Sequence, residues 1–210
     1  MHIAIAGNIG SGKTTLAGLL AKHYGWTPHY EDVDDNPYLN DFYEDMLRWS
    51  FNLQIYFLNS RFSQIIEIKK SDKTIVQDRT IYEDAYIFSR ALHQMGNLSD
   101  RDYLAYRRVF EMIVKQLPPP DLLIYLKAPV EVLVERIHRR ARDIETGISK
   151  DYLTLLDSFY EDWMQTFDNC PVLTIRTDDL DFVHQSQHLE TVVARIQDKL
   201  AGKETVVLRA

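Results

Sequence analysis

Only one cysteine, Cys170, stands among the 210 residues, which excludes an internal disulfide and any cysteine-rich metal site. Apolar runs of membrane-spanning length are missing as well, and the first apolar stretch is a five-residue segment, too short for a signal peptide. No membrane partner is expected, and the cytoplasm follows by default. Positive charge is scarce: 24 Lys and Arg against 31 Asp and Glu leave a net charge of −7, which argues against a nucleic-acid surface. Neither an internal repeat nor a low-complexity stretch occurs. What remains is 45% hydrophobic and 26% charged, ordinary for a globular enzyme. The length predicts one domain over residues 1–202, followed by a tail at 203–210.

The chain opens with the stretch that organises the rest. A small, β-branched strand, His2-Ile3-Ala4-Ile5-Ala6, runs into Gly7-Asn8-Ile9-Gly10-Ser11-Gly12-Lys13-Thr14, which satisfies G-x-x-x-x-G-K-[ST] at every fixed position. Glycine lets the backbone take positive φ and approach an anion closely. Successive N–H groups then form a concave nest at a helix N-terminus, where the dipole also favours negative charge. In such a loop Lys13 reaches the β- and γ-phosphates of a nucleotide, Thr14 holds Mg²⁺, and Thr15 follows in the first turn. The helix predicted after it covers Thr14 to Tyr24, with Leu16, Leu19 and Leu20 on one face.

Further strands are predicted at 28–31, 74–78, 122–126 and 172–175, several of them near-continuous apolar runs of the kind found in parallel strands covered on both faces. Helical stretches lie between them. Together these predict a doubly wound α/β fold: a parallel sheet of about five strands, helices on both faces, and ligands at the carboxyl ends of the strands. The helices at about 47–70 and 101–117 carry more apolar residues than the sheet can cover, and a homodimer packed through them is the expectation.

Several polar residues stand where chemistry is plausible. Glu31 closes the second predicted strand at the phosphate-loop edge, where a carboxylate can take the proton of an attacking hydroxyl. Asp78 ends the third strand, where such proteins hold Mg²⁺, and Arg79 beside it can stabilise charge on the transferring group. Thr80 and Glu83 form a capping box for the next helix. Gln54 and Arg61 share a helix face about 10 Å apart. That spacing fits an internal salt bridge with a tolerated amide or a pocket reading a base, and does not choose between them. Arg136, Arg139, Arg140 and Arg142 fall on or beside one helix; beside a phosphate loop they suggest a lid over residues 136–148 that clamps a triphosphate.

With these motifs in view, the sequence resembles the deoxynucleoside kinases, in particular the bacterial deoxyadenosine and deoxyguanosine kinases. The resemblance rests on GNIGSGKTT (7–15), the acidic segment with NPYL (31–39), FYEDMLRWSFNLQIYFLNSRF (42–62), DRTIYED (78–84) and ERIHRRARDIETGI (135–148). It implies that Glu31 is the general base for the 5′-hydroxyl, with Arg79 positioning both groups. It also implies that Tyr43 and Glu145 hold the sugar 3′-hydroxyl and that Gln54, Arg61 and Asp84 read the base. Arg136, Arg140 and Arg142 match the lid arginines, while Arg139 falls outside that spacing. Asp181 and Phe182 resemble the segment that cradles the donor adenine. The resemblance further implies an α/β phosphate-loop kinase fold with an arginine-rich lid, and ATP and a deoxynucleoside as the ligands.

Two other readings compete. A nucleoside monophosphate kinase would need cations in the acceptor pocket, yet residues 31–45 carry seven acids and neither Lys nor Arg. A GTPase-like switch would need Asn-Lys-x-Asp and Asp-x-x-Gly, and neither string occurs. Among bases, a carboxylate, a guanidinium and an amide suit the amine of adenine first, then guanine or cytosine, and thymine last.

Overall fold

The computed structural model describes residues 1–31, 36–140, 147–178, 180–182 and 185–202. Five parallel strands form one sheet in the order β2-β3-β1-β4-β5: β1 (His2–Gly7), β2 (Thr27–His29), β3 (Ile75–Asp78), β4 (Leu122–Lys127) and β5 (Val172–Arg176). That is the predicted phosphate-loop kinase architecture. β1 lies at the centre, and its alternation sets the two faces. Ile3 and Ile5 meet Leu16 and Leu20 of α1 (Lys13–Tyr24) and Val193 and Ile196 of α9 (Ser186–Leu200). The smaller Ala4 and Ala6 face the other way and make room for an aromatic layer of Tyr106, Phe110, Phe159, Tyr160 and Trp163. This layer comes from α6 (Asp100–Val114) and α8 (Lys150–Thr166).

Between β2 and β3 run a short α2 (Leu39–Glu44) and the long α3 (Met46–Lys70). After β3 come α4 (Ile81–Glu83), a π-turn segment (Asp84–Phe88) and α5 (Ser89–Gln94) in unbroken succession. α7 (Val130–Arg140) follows β4. Among the described residues no helix is long and apolar enough to cross a membrane.

Two expected boundaries move. The second strand stops at His29, its last pairing being with Gln77, so Glu31 stands two residues beyond the sheet. Gln64 Nε2 takes the Tyr30 carbonyl at 3.1 Å, and two arginines draw Glu31 away from the ladder. The helix expected to reach Leu117 ends at Val114. Bonds from Gln116 N–H to Ile113 O and from Leu117 N–H to Val114 O tighten its last turn ahead of three prolines.

Candidate active site

The phosphate loop lies between β1 and α1 with Gly7, Gly10 and Gly12 at φ +152°, +81° and +98°. A Cβ on Gly10 would stand 3.0 Å from Leu133 O, and one on Gly12 would stand 3.2 Å from Phe182 Cζ, so the loop is walled by α7 and by the segment after β5. No side chain caps α1, which leaves its first N–H groups directed at the loop's hollow. Asn8 braces the loop, donating from Nδ2 to Leu153 O at 3.0 Å and accepting from Ile9 N–H at 2.8 Å. Ser11 Oγ is buried without a hydrogen-bond partner among the described residues.

Lys13 Nζ donates to Gly7 O at 2.7 Å and Asn8 O at 3.1 Å. Burial pulls its ammonium below the ordinary value, against the carboxylates of Asp78 and Glu83. Thr14 Oγ1 donates to Asp78 Oδ2 at 2.6 Å, so the two residues singled out for a metal meet directly; Thr15 is exposed one step further along α1.

One cavity gathers most of the remaining candidates. Ile9, Gly10, Lys13, Thr14, Asp78 and Arg140 line its phosphate-loop side, and Glu31, Tyr43, Gln54 and Arg79 line the rest with Phe42, Leu53, Phe57, Phe88 and Tyr152. Arg61 and Asp84 lie outside that lining, 1% and 0% exposed, and reach it through their neighbours. Arg61 Nη2 and Arg79 Nη1 both donate to Glu31 Oε1, at 2.9 and 2.8 Å. Among the described residues no hydrogen bond reaches Oε2. Behind this fork, Asp84 stands 3.5 Å from Arg61 Nε and 3.3 Å from Arg79 Nε, close enough for charge attraction but outside hydrogen-bond geometry. Two cations therefore balance two carboxylates.

The carboxylates respond oppositely. Burial raises Glu31, but Arg79, Arg61 and Lys13 outweigh it and hold the group below the usual carboxylate range. Burial dominates at Asp84, which is pushed up to about 6 despite the same two arginines. Arg79 is held firmly protonated by Glu31 and Asp84 despite its burial.

Two features had no counterpart in the sequence reading. Arg79 takes φ +71°, the one non-glycine residue in the left-handed region among the described residues. Its N–H is held by Ile5 O at 3.0 Å, and its guanidinium lies 3.6 Å over the Phe88 ring. That backbone costs of order 1–3 kcal/mol, offset by the surrounding contacts. The π-turn segment starts at Asp84 and brings Phe88 under Arg79, and neither feature leaves a composition signal. Tyr152 was likewise unmarked.

The lid residues divide. Arg140 lines the cavity, whereas Arg136 is outside that lining and donates to Thr177 Oγ1 at 2.9 Å and to its carbonyl. Arg139 pairs with Glu135 on the surface at 2.6 Å. Arg142 and Glu145 fall outside the described residues. Asp181 N–H donates to His188 Nδ1 at 2.9 Å, and Phe182 is buried against Gly12.

A family model described as deoxynucleoside kinase matches residues 3–201, and the chain belongs to that family of phosphotransferases. It is 42% identical over 196 residues to a deoxyadenosine/deoxycytidine kinase of Bacillus subtilis, covering 92% of this chain and 90% of the relative. It is also 42% identical over 197 residues to a deoxyadenosine kinase of Dictyostelium discoideum, covering 93% and 79%. A Lactobacillus acidophilus deoxyguanosine kinase is 34% identical, covering 94% and 90%. Among solved structures, the deoxyadenosine kinase of M. mycoides with bound dATP superposes with a TM-score of 0.83 at 28% identity, over 94% of this chain and 99% of that one.

Proposed function

We propose that the enzyme transfers the γ-phosphoryl group of ATP to the 5′-hydroxyl of a deoxynucleoside, deoxyadenosine first, with Glu31 as the general base. The observation that carries this is the fork at Glu31: both arginines hold Oε1, while the same cavity is lined by Lys13 and Thr14. The 5′-hydroxyl proton passes to Oε2 as the 5′-oxygen bonds to the γ-phosphorus. The bond from that phosphorus to the β-γ bridging oxygen breaks, and ADP leaves. Lys13 and Arg140 offset the charge on the moving group, with Arg136 and Arg142 completing the lid. Asp181 and Phe182 border the donor base.

Mg²⁺ fits the oxygens at hand. Thr14 hydroxyl and Asp78 carboxylate meet at 2.6 Å. Mg²⁺ usually keeps several waters and takes phosphate oxygens beside one or two protein ligands, so this pair is enough to seat it. Bound there, it would neutralise charge on the β- and γ-phosphates.

Toward the base, Gln54 Oε1 and both Asp84 oxygens are buried without hydrogen-bond partners, a set able to meet the amine of adenine through modest movement. Tyr43 and Glu145 take the 3′-hydroxyl. A monophosphate kinase is disfavoured because Arg61 and Arg79 are already balanced by Glu31 and Asp84, leaving little positive charge for an acceptor phosphate. Deoxyadenosine ranks above deoxycytidine and deoxyguanosine, with thymidine last. ATP-dependent phosphorylation of the four deoxynucleosides tests the reading; thymidine as the best acceptor would overturn the base assignment.

A cytoplasmic homodimer through α3 and α6 completes the proposal. Leu104 and Met112 of α6 are 55% and 62% exposed and Leu47 of α3 is 71% exposed, an apolar surface a second copy would cover. A monomer in sedimentation equilibrium would remove it.

A further inference from the structure

Glu83 is fully buried, and it does more than close a capping box. The box uses one carboxylate oxygen: Oε2 accepts from Thr80 N–H at 2.7 Å, while Thr80 Oγ1 accepts from Glu83 N–H at 3.3 Å. The other oxygen leaves the helix altogether. Oε1 accepts from Gly7 N–H at 3.1 Å, across 76 residues, at the first position of the phosphate loop. The Tyr160 hydroxyl, also fully buried, lies 2.8 Å from the same Oε1 and 2.9 Å from Gly7 O. Gly7 O is in turn the closer of the two carbonyls that hold Lys13 Nζ.

The Gly7 peptide is thus fastened at both ends. Its far side is closed by β4, where a Cβ would stand 2.5 Å from Leu126 O. Glu83 also follows Arg79 by four residues and precedes Asp84 by one, on the turn that carries the acceptor side of the cavity. Tyr160 belongs to α8, whose Tyr152 lines that cavity.

We infer that Glu83 and Tyr160 are a positioning pair: they set the Gly7 peptide and through it the Lys13 ammonium, registering the phosphate loop against the nucleoside pocket. Neither touches a reacting group. The kinetic consequence rests on the kinase reading, whereas the effect on nucleotide binding does not.

The test uses the full chain with Glu83→Gln and Tyr160→Phe. A glutamine cannot accept with both ends, so its amide NH₂ must face either the Gly7 or the Thr80 N–H, two donors opposed. Tyr160→Phe removes one hydroxyl and keeps the ring in the core. Calorimetry measures affinity for a non-hydrolysable ATP analogue and, separately, for deoxyadenosine; steady-state kinetics give kcat and both KM values. Misplacement of a catalytic group by about an ångström costs up to about 10²-fold in rate. Glu83→Gln is therefore expected to lower kcat by about 10- to 100-fold and analogue affinity by about tenfold, with deoxyadenosine affinity within about threefold. Tyr160→Phe follows in the same direction by about three- to tenfold, and the double variant loses less than the product. Equal loss of both affinities, or unchanged kcat and analogue affinity, overturns the inference. If Glu83→Gln does not fold, Tyr160→Phe decides by the same split. A wild-type chain that binds the analogue and phosphorylates no deoxynucleoside overturns the kinase reading and leaves the binding test intact.

Discussion

The two halves of the cavity are built in different ways. On the donor side the main chain does most of the work, through three glycines at positive φ, an uncapped helix end and a lysine bonded to loop carbonyls. On the acceptor side four side chains from four segments, Glu31, Arg61, Arg79 and Asp84, form a charge-balanced cluster. The first arrangement is local in sequence and tolerates little backbone change. The second is assembled across the fold, and each member depends on the charge of the others.

The largest expected effect comes from taking the donor side's cation away. Lys13→Ala is expected to lower kcat by about 10³-fold or more, since a charge fixed on the transferring group is lost. Its ammonium bonds two loop carbonyls at the edge of the cavity and packs in neither core layer, so the melting temperature should stay within a few degrees of wild type. A folded variant with near-native turnover would break the assignment of this half to phosphate.

Glu31→Gln probes the junction between the halves. Loss of the base is expected to lower kcat by about 10²- to 10⁴-fold, with deoxyadenosine affinity changed only a few-fold. Near-native kcat in steady-state assays would remove Glu31 from proton transfer. It would reduce the fork to a counter-ion for two arginines.

This contrast also accounts for what could be read in advance. The phosphate loop, the five parallel strands and the capping box at Thr80 are patterns of neighbouring residues, and they stand as expected. Glu31 was found for a partly wrong reason: it lies beyond the strand, held by arginines 30 and 48 residues away. The choice left open by Gln54 and Arg61 rests on long-range partners. Arg61 forms the internal ion pairs, while Gln54 keeps an unbonded oxygen and lines the cavity. The left-handed Arg79 and the second duty of Glu83 were illegible, because both are set by what packs against them.

Within the acceptor cluster the balance itself can be tested. Removing Arg61 or Asp84 alone leaves a buried charge undercompensated, at a cost of about 3–5 kcal/mol. Removing both, as Arg61→Met with Asp84→Ala, restores neutrality between Glu31 and Arg79. The double variant is expected to lose activity on deoxyadenosine, gain relative activity on thymidine, and show strong non-additivity in kcat/KM. Additive single effects would mean that the four side chains do not act as one unit.

The smallest effect separates the two carboxylates by pH. Asp84, raised to about 6, takes up a proton as the solution is acidified through that value, while Glu31, held low by its arginines, stays ionised. The amine of adenine needs a carboxylate acceptor, so kcat/KM for deoxyadenosine should fall toward about tenfold per unit below pH 6. Stability moves the other way. A carboxyl whose folded value lies above its unfolded value binds its proton more readily when folded, so its stabilisation is full below about 4 and is lost as pH rises through about 6. Glu31 has the opposite sign, but its contribution is lost only below the ordinary carboxylate range. Between pH 7 and 5 the wild type should therefore gain stability relative to Asp84→Asn while losing substrate affinity. Melting curves of both proteins and calorimetric titration with deoxyadenosine across this window check the pair of signs. A wild type and Asp84→Asn with parallel pH profiles would show that Asp84 does not titrate there.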